Sequence, residues 1–371
     1  MKTILQKLGY EVELWKSPVA EDYNKCAEAL YERLNNSFYG VMMYNYIPQF
    51  SKVCNDKKIY YITWIVDCPH FALYSDTIRL PYNRIFHFDG TRTEQLREDK
   101  VQYVYHLPLG VDVDSWQGRI HHNFQNDRFR NSVSFVGNLY NGKDRNMYRQ
   151  INYLPPYSRG FLEGLLQTQL RIAEDIPWER AITEEIWQEM GRWIAFTECS
   201  GYVDFYQQQM IHMLKVEVTA RERCMAVSLL NRYFDFGLYT GSDTGFDPLI
   251  CPKGYIAYET EMPLIFAQSD VNINITSRTI YSGIPLRVMD IMACGGFVMT
   301  NYKAEIAETF RDGEECAIYY DLNDMIEKIS FYLQHDDERK RIAQKGYLKT
   351  SRELSLESQL EKMKAVLEEE E

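Results

Sequence analysis

The chain of 371 residues contains no apolar run approaching the ~18 residues a membrane helix needs, so no transmembrane span is expected. Its opening Met1-Lys2-Thr3-Ile4-Leu5-Gln6-Lys7 lacks the apolar core of a secretory leader. None of its cysteines (Cys26, Cys54, Cys68, Cys199, Cys224, Cys251, Cys294, Cys316) forms a Cys-x-x-Cys pair. That excludes zinc-finger spacing and points to reduced thiols in a reducing compartment. Positive charge is scarce, with 41 Lys and Arg against 53 Asp and Glu, a net charge of −12. Such a balance argues against nucleic acid as a partner. A small phosphorylated ligand is still accommodated, because a few local cations and helix amides suffice for it. Internal repeats are absent, and the only biased stretch is the acidic end Glu368 to Glu371, read as solvated. A cytoplasmic, soluble protein is expected.

Hydrophobic residues make up 45% of the chain, and 28 tyrosines stand among them. That suits a well-packed globular protein, and a length of 371 residues makes two domains of roughly 100–200 residues each the expectation. The first 120 residues alternate strand-like and helix-like segments. A helix over residues 1–8 is followed by a strand at Gly9 to Trp15, a helix at Tyr23 to Asn35 and a strand at Gly40 to Tyr46. Ile59 to Val66 is a continuous apolar, β-branched run suited to a strand buried on both faces. Arg84 to Phe88 and Val101 to Leu107 continue the sheet. The chain thus starts on a helix where a doubly wound domain usually opens with a strand. A second α/β region begins at Asn131 to Gly137 and resumes with Asp235 to Tyr239, Val271 to Thr276 and Gly296 to Thr300. Between them lie the expected helices Gly164 to Glu174, Glu184 to Phe196, Tyr202 to Val218 and Arg221 to Leu230. The expected division is residues 1–120, residues 121–350 with a helical insertion over about 150–230, and a C-terminal helix over 351–371. Alternating segments of this kind specify an α/β, doubly wound architecture.

The densest chemical signal lies between Asn272 and Tyr302. It reads as strand, loop, helix, glycine stop and strand. Pro285 suits a first helical turn, and Gly295-Gly296 suits a left-handed cap. The helix N-terminus then lies beyond the carboxyl end of a buried strand, where open α/β sheets bind ligands and where amides and dipole favour an anion. Arg287 and Asp290, three apart, share one helix face. Arg287 suits a phosphate and Asp290 a sugar hydroxyl; the two pairing only with each other is the alternative.

Residues 271–345 resemble the C-terminal domain of GT-B glycosyltransferases of the group-one clan, in particular the bacterial spore-maturation-protein type. The matching elements are Gly283-Ile-Pro-Leu-Arg-Val-Met-Asp290, Ile291-Met-Ala-Cys-Gly-Gly296 and Thr300-Asn-Tyr302. Tyr44-Asn-Tyr-Ile-Pro48 and Trp64-Ile-Val-Asp-Cys-Pro69 resemble the partner domain. The resemblance implies two Rossmann-like domains facing a cleft and a glycosyltransferase using a UDP- or GDP-sugar. In that clan a Glu-x7-Glu pair reaches the donor sugar and ribose. The second member falls on Asp290 and the first on Ser282, which is not acidic. Thr276, Arg278, Ser282 and the amides near Gly283 are the expected replacements. A glycine turn after the first strand maps to Gly137, with Lys143 and Arg145 as phosphate ligands. Tyr255, within Lys253 to Ile256, is the candidate contact for the base.

On the acceptor side Asp67 and His70 follow the buried strand. Asp67 as a base and as a cap on its turn both stand, as do His70 as a proton shuttle and as a packing residue; His106 is a further candidate. The clan is typically retaining, so a dedicated base is not required and no metal or other cofactor is expected. Asp112-Val113-Asp114 carries a DxD pattern but sits where the N-terminal domain ends. The acceptor is expected to be a glycan or protein hydroxyl. A sugar-nucleotide epimerase on the same fold and a non-catalytic nucleotide-sugar-binding module are the alternatives, the latter favoured by Ser282.

Overall fold

The apolar run that begins at Ile59 is buried almost entirely, as a strand covered on both faces must be. The computed structural model describes residues 1–16, 22–123, 127–142, 146–195 and 205–369. They divide into two units, residues 1–110 with 356–369 and residues 111–195 with 206–355.

In the first unit the strands are β1 (Gly40–Tyr44), β2 (Tyr60–Ile65), β3 (Asn83–His87) and β4 (Val104–His106). They are parallel and lie in chain order, with Thr63 opposite Ile85 and His87 opposite His106. Tyr61, Ile65 and Ile85 pack with Cys54 and Leu96 of the flanking helices Pro48–Lys57 and Gly90–Glu98. The opening helix Lys2–Lys7 meets the closing helix Leu356–Glu368, where Lys364 Nζ donates to the Leu8 carbonyl at 2.8 Å. The strand expected at Gly9 to Trp15 is not formed. Leu14 stands 70% exposed, so its alternating apolar residues have no sheet face to bury.

The second unit holds β5 (Asn131–Val136), β6 (Phe236–Tyr239), β7 (Ser269–Asn274), β8 (Val298–Asn301) and β9 (Ala317–Tyr319). All are parallel, in the order β6-β5-β7-β8-β9. The chain leaves β5 toward β6 on one side, then crosses to β7 on the other. This reversal sets a topological switch point between the carboxyl ends of β5 and β7.

The insertion between β5 and β6 has its own core, in which Leu162, Leu166, Trp178, Ile186 and Met190 pack on Met210, Leu214 and Val218. Its first long helix runs Pro156–Gln169, earlier than the expected Gly164 start, because Pro156 is placed at the N-terminus where proline is tolerated. The two helices expected at Tyr202 to Val218 and Arg221 to Leu230 are one, Phe205–Tyr233. No Gly or Pro interrupts it, and its second half turns Ala226, Val227 and Leu230 into the sheet core. Among the described residues no helix is long and apolar enough to cross a membrane.

Candidate functional site

The helix Leu286–Ala293 follows the loop after β7. Pro285 is its N-cap residue rather than the first helical residue expected, and no side chain caps it. An uncapped first turn directs its amides and the positive end of the dipole outward, the arrangement that serves an anion. At the other end Gly295 takes φ +75°, and a Cβ on Gly296 would lie 2.5 Å from the Phe266 carbonyl oxygen. The two glycines therefore do different work: one provides the left-handed cap, the other lets two backbones touch.

Arg287 crosses the switch point, its Nη1 donating to the Val136 carbonyl at the end of β5 at 2.8 Å. Its Nε is buried without a hydrogen-bond partner. Arg223, from the long helix, joins the same place from below. Its Nε donates to the Ile275 carbonyl after β7 at 3.1 Å, and its Nη1 donates to the Asn138 carbonyl after Gly137. Desolvation pushes both guanidinium groups below the usual arginine range, and the neighbouring Arg287 lowers Arg223 further. Neither arginine is in an ion pair among the described residues. Both side chains are half-buried, and the charge of Asp290 acts on Arg287 and that of Glu222 on Arg223 without a close ion pair; two partly desolvated cations side by side are an arrangement that a bound anion favours. Sequence reasoning passed over Arg223 because Arg221-Glu-Arg223 reads as an ordinary polar helix face.

Asp290 is 1% exposed and accepts from the Tyr258 hydroxyl at 3.1 and 3.3 Å. Burial raises its pKa to about 6, against the pull of Arg287 and of the hydrogen bonds from Tyr258 and Trp116. Trp116 and Tyr258 meet edge-on at 5.3 Å. Tyr255 stands 84% exposed, so Tyr258, three residues further on, is the aromatic of that loop that reaches Asp290. No pattern in the sequence distinguished the two.

Of the other expected donor-side residues, Gly137 directly follows β5, and Thr276, Arg278, Ser282 and Gly283 lie in the loop between β7 and the helix Leu286–Ala293. Gly137 donates its amide to the Tyr239 carbonyl at 3.1 Å, and a Cβ there would crowd the Phe135 ring at 3.2 Å. Thr276 is buried, its amide donating to Asn301 Oδ1 at 2.7 Å and its hydroxyl accepting from Asn274 at 2.9 Å. Arg278 is engaged on every nitrogen: Nε with Glu222 at 2.9 Å, Nη1 with the Ala173 carbonyl at 2.6 Å, Nη2 with the Ile172 carbonyl at 3.1 Å. Asp175 completes its surroundings at 3.3 Å. Its guanidinium thus fastens the insertion to the loop. Ser282, beside buried Gly283, donates to Glu305 Oε1 at 2.6 Å. Lys143 and Arg145 lie outside the described residues.

In the first unit, Asp67 is exposed and accepts from Asn45 Nδ2 at 2.8 Å. Asn45, at φ +60°, in turn accepts from the Val66 amide at 3.0 Å, so side chain and turn brace each other. His70 Nε2 faces the backbone of Tyr46 at 2.8–3.0 Å, and burial lowers its pKa. Asp112 Oδ1 accepts from the Ser115 amide at 3.0 Å at the start of the helix Val113–Asn123, the geometry of an N-cap.

Residues 221–365 match the glycosyl transferase-like family model. That segment holds Arg223, Tyr258, Ser282, Arg287 and Asp290, while Trp116, Val136 and Gly137 precede it. HepE of Anabaena, solved with UDP and glucose, superposes on the chain with TM-score 0.50 at 9% identity, covering 99% of this chain and 88% of that one. The UDP-forming α,α-trehalose-phosphate synthase of Burkholderia xenovorans, solved with glucose-6-phosphate, does so with TM-score 0.52 at 12% identity, covering 92% and 76%. At such identities the likeness shows the fold, and the fold is the expected α/β GT-B class. A comparison with curated proteins finds no match.

Proposed function

We propose that this protein is a glycosyltransferase that moves a sugar from a nucleoside-diphosphate sugar to a hydroxyl of a glycan or protein. The observation that carries the reading is the pair Arg223 and Arg287, partly desolvated and in no close ion pair among the described residues, at the carboxyl ends of β5 and β7. A diphosphate there gains two cations and the first-turn amides of Leu286–Ala293, and Asp290 accepts a ribose hydroxyl in place of Tyr258. The family match over residues 221–365 supports the sugar-transfer reading over a generic nucleotide site.

Stabilising the charge of the departing diphosphate is the main catalytic demand, and arginines with a helix N-terminus meet it without a metal. The reaction we infer is retaining, with the leaving diphosphate assisting the incoming hydroxyl, so that the protein's contribution is positioning and charge. Asp67 and His70 are assigned to the acceptor side. Localisation is proposed to be cytoplasmic, and the spore-maturation type remains the proposed subgroup.

The test is incubation with UDP-glucose, UDP-N-acetylglucosamine and GDP-mannose, with and without EDTA, reading nucleotide release and product anomer. Release that survives EDTA, with the donor's anomeric configuration kept in the product, is the expected result. Conversion of the donor to another sugar nucleotide with no transfer would favour the epimerase class instead.

A further inference from the structure

Apart from the arginine pair, the second unit has a pocket at the carboxyl ends of β7, β8 and β9. Ile275, Asn301 and Tyr319 line it from the strand ends, Met225 from the helix Phe205–Tyr233, and Ile172 and Ala173 from the insertion. Arg223, Tyr258, Arg287 and Asp290 do not line it. Ile172 and Ala173 also precede residue 221, where the family match begins, so this wall lies outside the matched domain. We propose that the pocket holds a neutral sugar ring of a glycan acceptor; the inference takes sugar transfer from the reading above.

Large apolar side chains stand open around this one depression. Tyr320 is 53%, Met225 40% and Ile172 40% exposed. Single exposed apolar residues need no explanation, but several around one pocket mark a surface that a ligand covers. Tyr320 stacks on Tyr302 with ring centroids 5.4 Å apart and 23° between planes, so two aromatic rings form one wall. A pyranose has a C–H face that lies against such rings and a rim of hydroxyls that needs polar partners.

The polar groups select against other occupants. Arg278 is the one cation in the lining among the described residues. Its nitrogens are taken by Glu222, Asp175 and the Ile172 and Ala173 carbonyls. Asp321 adds a carboxylate at the same pocket, so a diphosphate gains no cation there. Asn301 Oδ1 accepts from the Thr276 amide at 2.7 Å, whereas its Nδ2 donates to no described residue. A hydroxyl oxygen satisfies that donor, and a purely apolar peptide side chain does not. The walls are held without a ligand. The Tyr302 amide donates to the Tyr319 carbonyl at 2.9 Å, the Tyr319 hydroxyl to the Asn274 carbonyl at 3.2 Å, and Arg278 Nη1 to the Ala173 carbonyl at 2.6 Å. A site formed in advance spends less of its interaction on ordering itself.

The experiment is saturation-transfer NMR and calorimetric titration of the full chain with maltotetraose, cellotetraose and chitotetraose, each with and without excess UDP and GDP. The proteins are wild type, Tyr320→Ala, Tyr320→Phe and Asn301→Asp, the last keeping the acceptor for the Thr276 amide. At least one oligosaccharide is expected to bind saturably, with saturation reaching its ring C–H protons and no displacement by nucleotide. Tyr320→Ala should weaken it about tenfold and Asn301→Asp about threefold, while Tyr320→Phe stays within about twofold. Nucleotide affinity should be the same in all four proteins. The proposal is overturned if no oligosaccharide binds the wild type, or if Tyr320→Ala binds it equally well. Displacement by nucleotide also overturns it, because the sugar then occupies the donor site. Titration of nucleotide alone decides the donor-site reading separately: its failure defeats that reading, and the Tyr320→Ala comparison still decides the pocket.

Discussion

Asp290 is where the charge state of the site meets the pH range of the cell. Its carboxyl is almost fully buried beside Arg287, and burial pushes its pKa up to about 6, above the ordinary aspartate range. The raised value means the folded protein binds that proton more tightly than the unfolded chain. Stability is therefore fullest below about pH 4 for this group and falls as pH rises toward 6, by on the order of 3 kcal/mol. Asp290→Asn should flatten that part of the stability–pH curve, measured by denaturant unfolding between pH 4 and 7. Binding has the opposite sign, because a ribose hydroxyl needs the carboxylate as acceptor. Affinity for a nucleotide sugar, whose doubly esterified diphosphate has no group titrating near 6, should rise through about pH 6 in the wild type and lose that rise in Asp290→Asn.

At the scale of elements, the segment from β7 through the glycine pair to β8 was legible because local rules and tertiary position agree there. An apolar strand, a proline at the helix entry and two glycines at its exit each specify the same turn of chain. Gly296→Ala tests the close approach: a Cβ 2.5 Å from the Phe266 carbonyl oxygen forces the helix away from its neighbour. The expected cost is about 1–3 kcal/mol, read as a lower melting temperature and weaker nucleotide binding together. The segment Gly9 to Trp15 was misread because alternation alone specifies no strand when no sheet edge receives it. The helix Phe205–Tyr233 was divided in two because its surface changes from one core to another midway, which resembles an end in a linear reading. Arg223 and Tyr258 were invisible for a related reason. Each acquires its meaning from a strand order that brings distant loops together.

Across the whole molecule, the insertion is tied to the donor loop by a buried charge cluster. Asp175 lies within reach of Lys215 at 3.4 Å, Arg278 at 3.3 Å and Lys303 at 3.8 Å. Burial opposes ionisation of Asp175, but the three cations outweigh it and hold its pKa down. Removing one partner from such a cluster leaves uncompensated buried charge, an effect of roughly 3–5 kcal/mol. Arg278→Met is therefore expected to loosen residues 146–195 selectively, seen as faster hydrogen exchange or proteolysis there while the sheet core stays protected. The net charge of −12 makes the local cations more informative, since the chain sets two partly desolvated arginines side by side at the switch point of the second sheet. The most direct measurement is calorimetric titration of UDP and GDP into the wild type, Arg287→Met and Arg223→Met. At least one nucleotide should bind the wild type saturably, and each variant should lose about tenfold or more of that affinity while remaining folded at the temperature of titration. Absence of binding by the wild type, or equal affinity in all three proteins, would contradict the account.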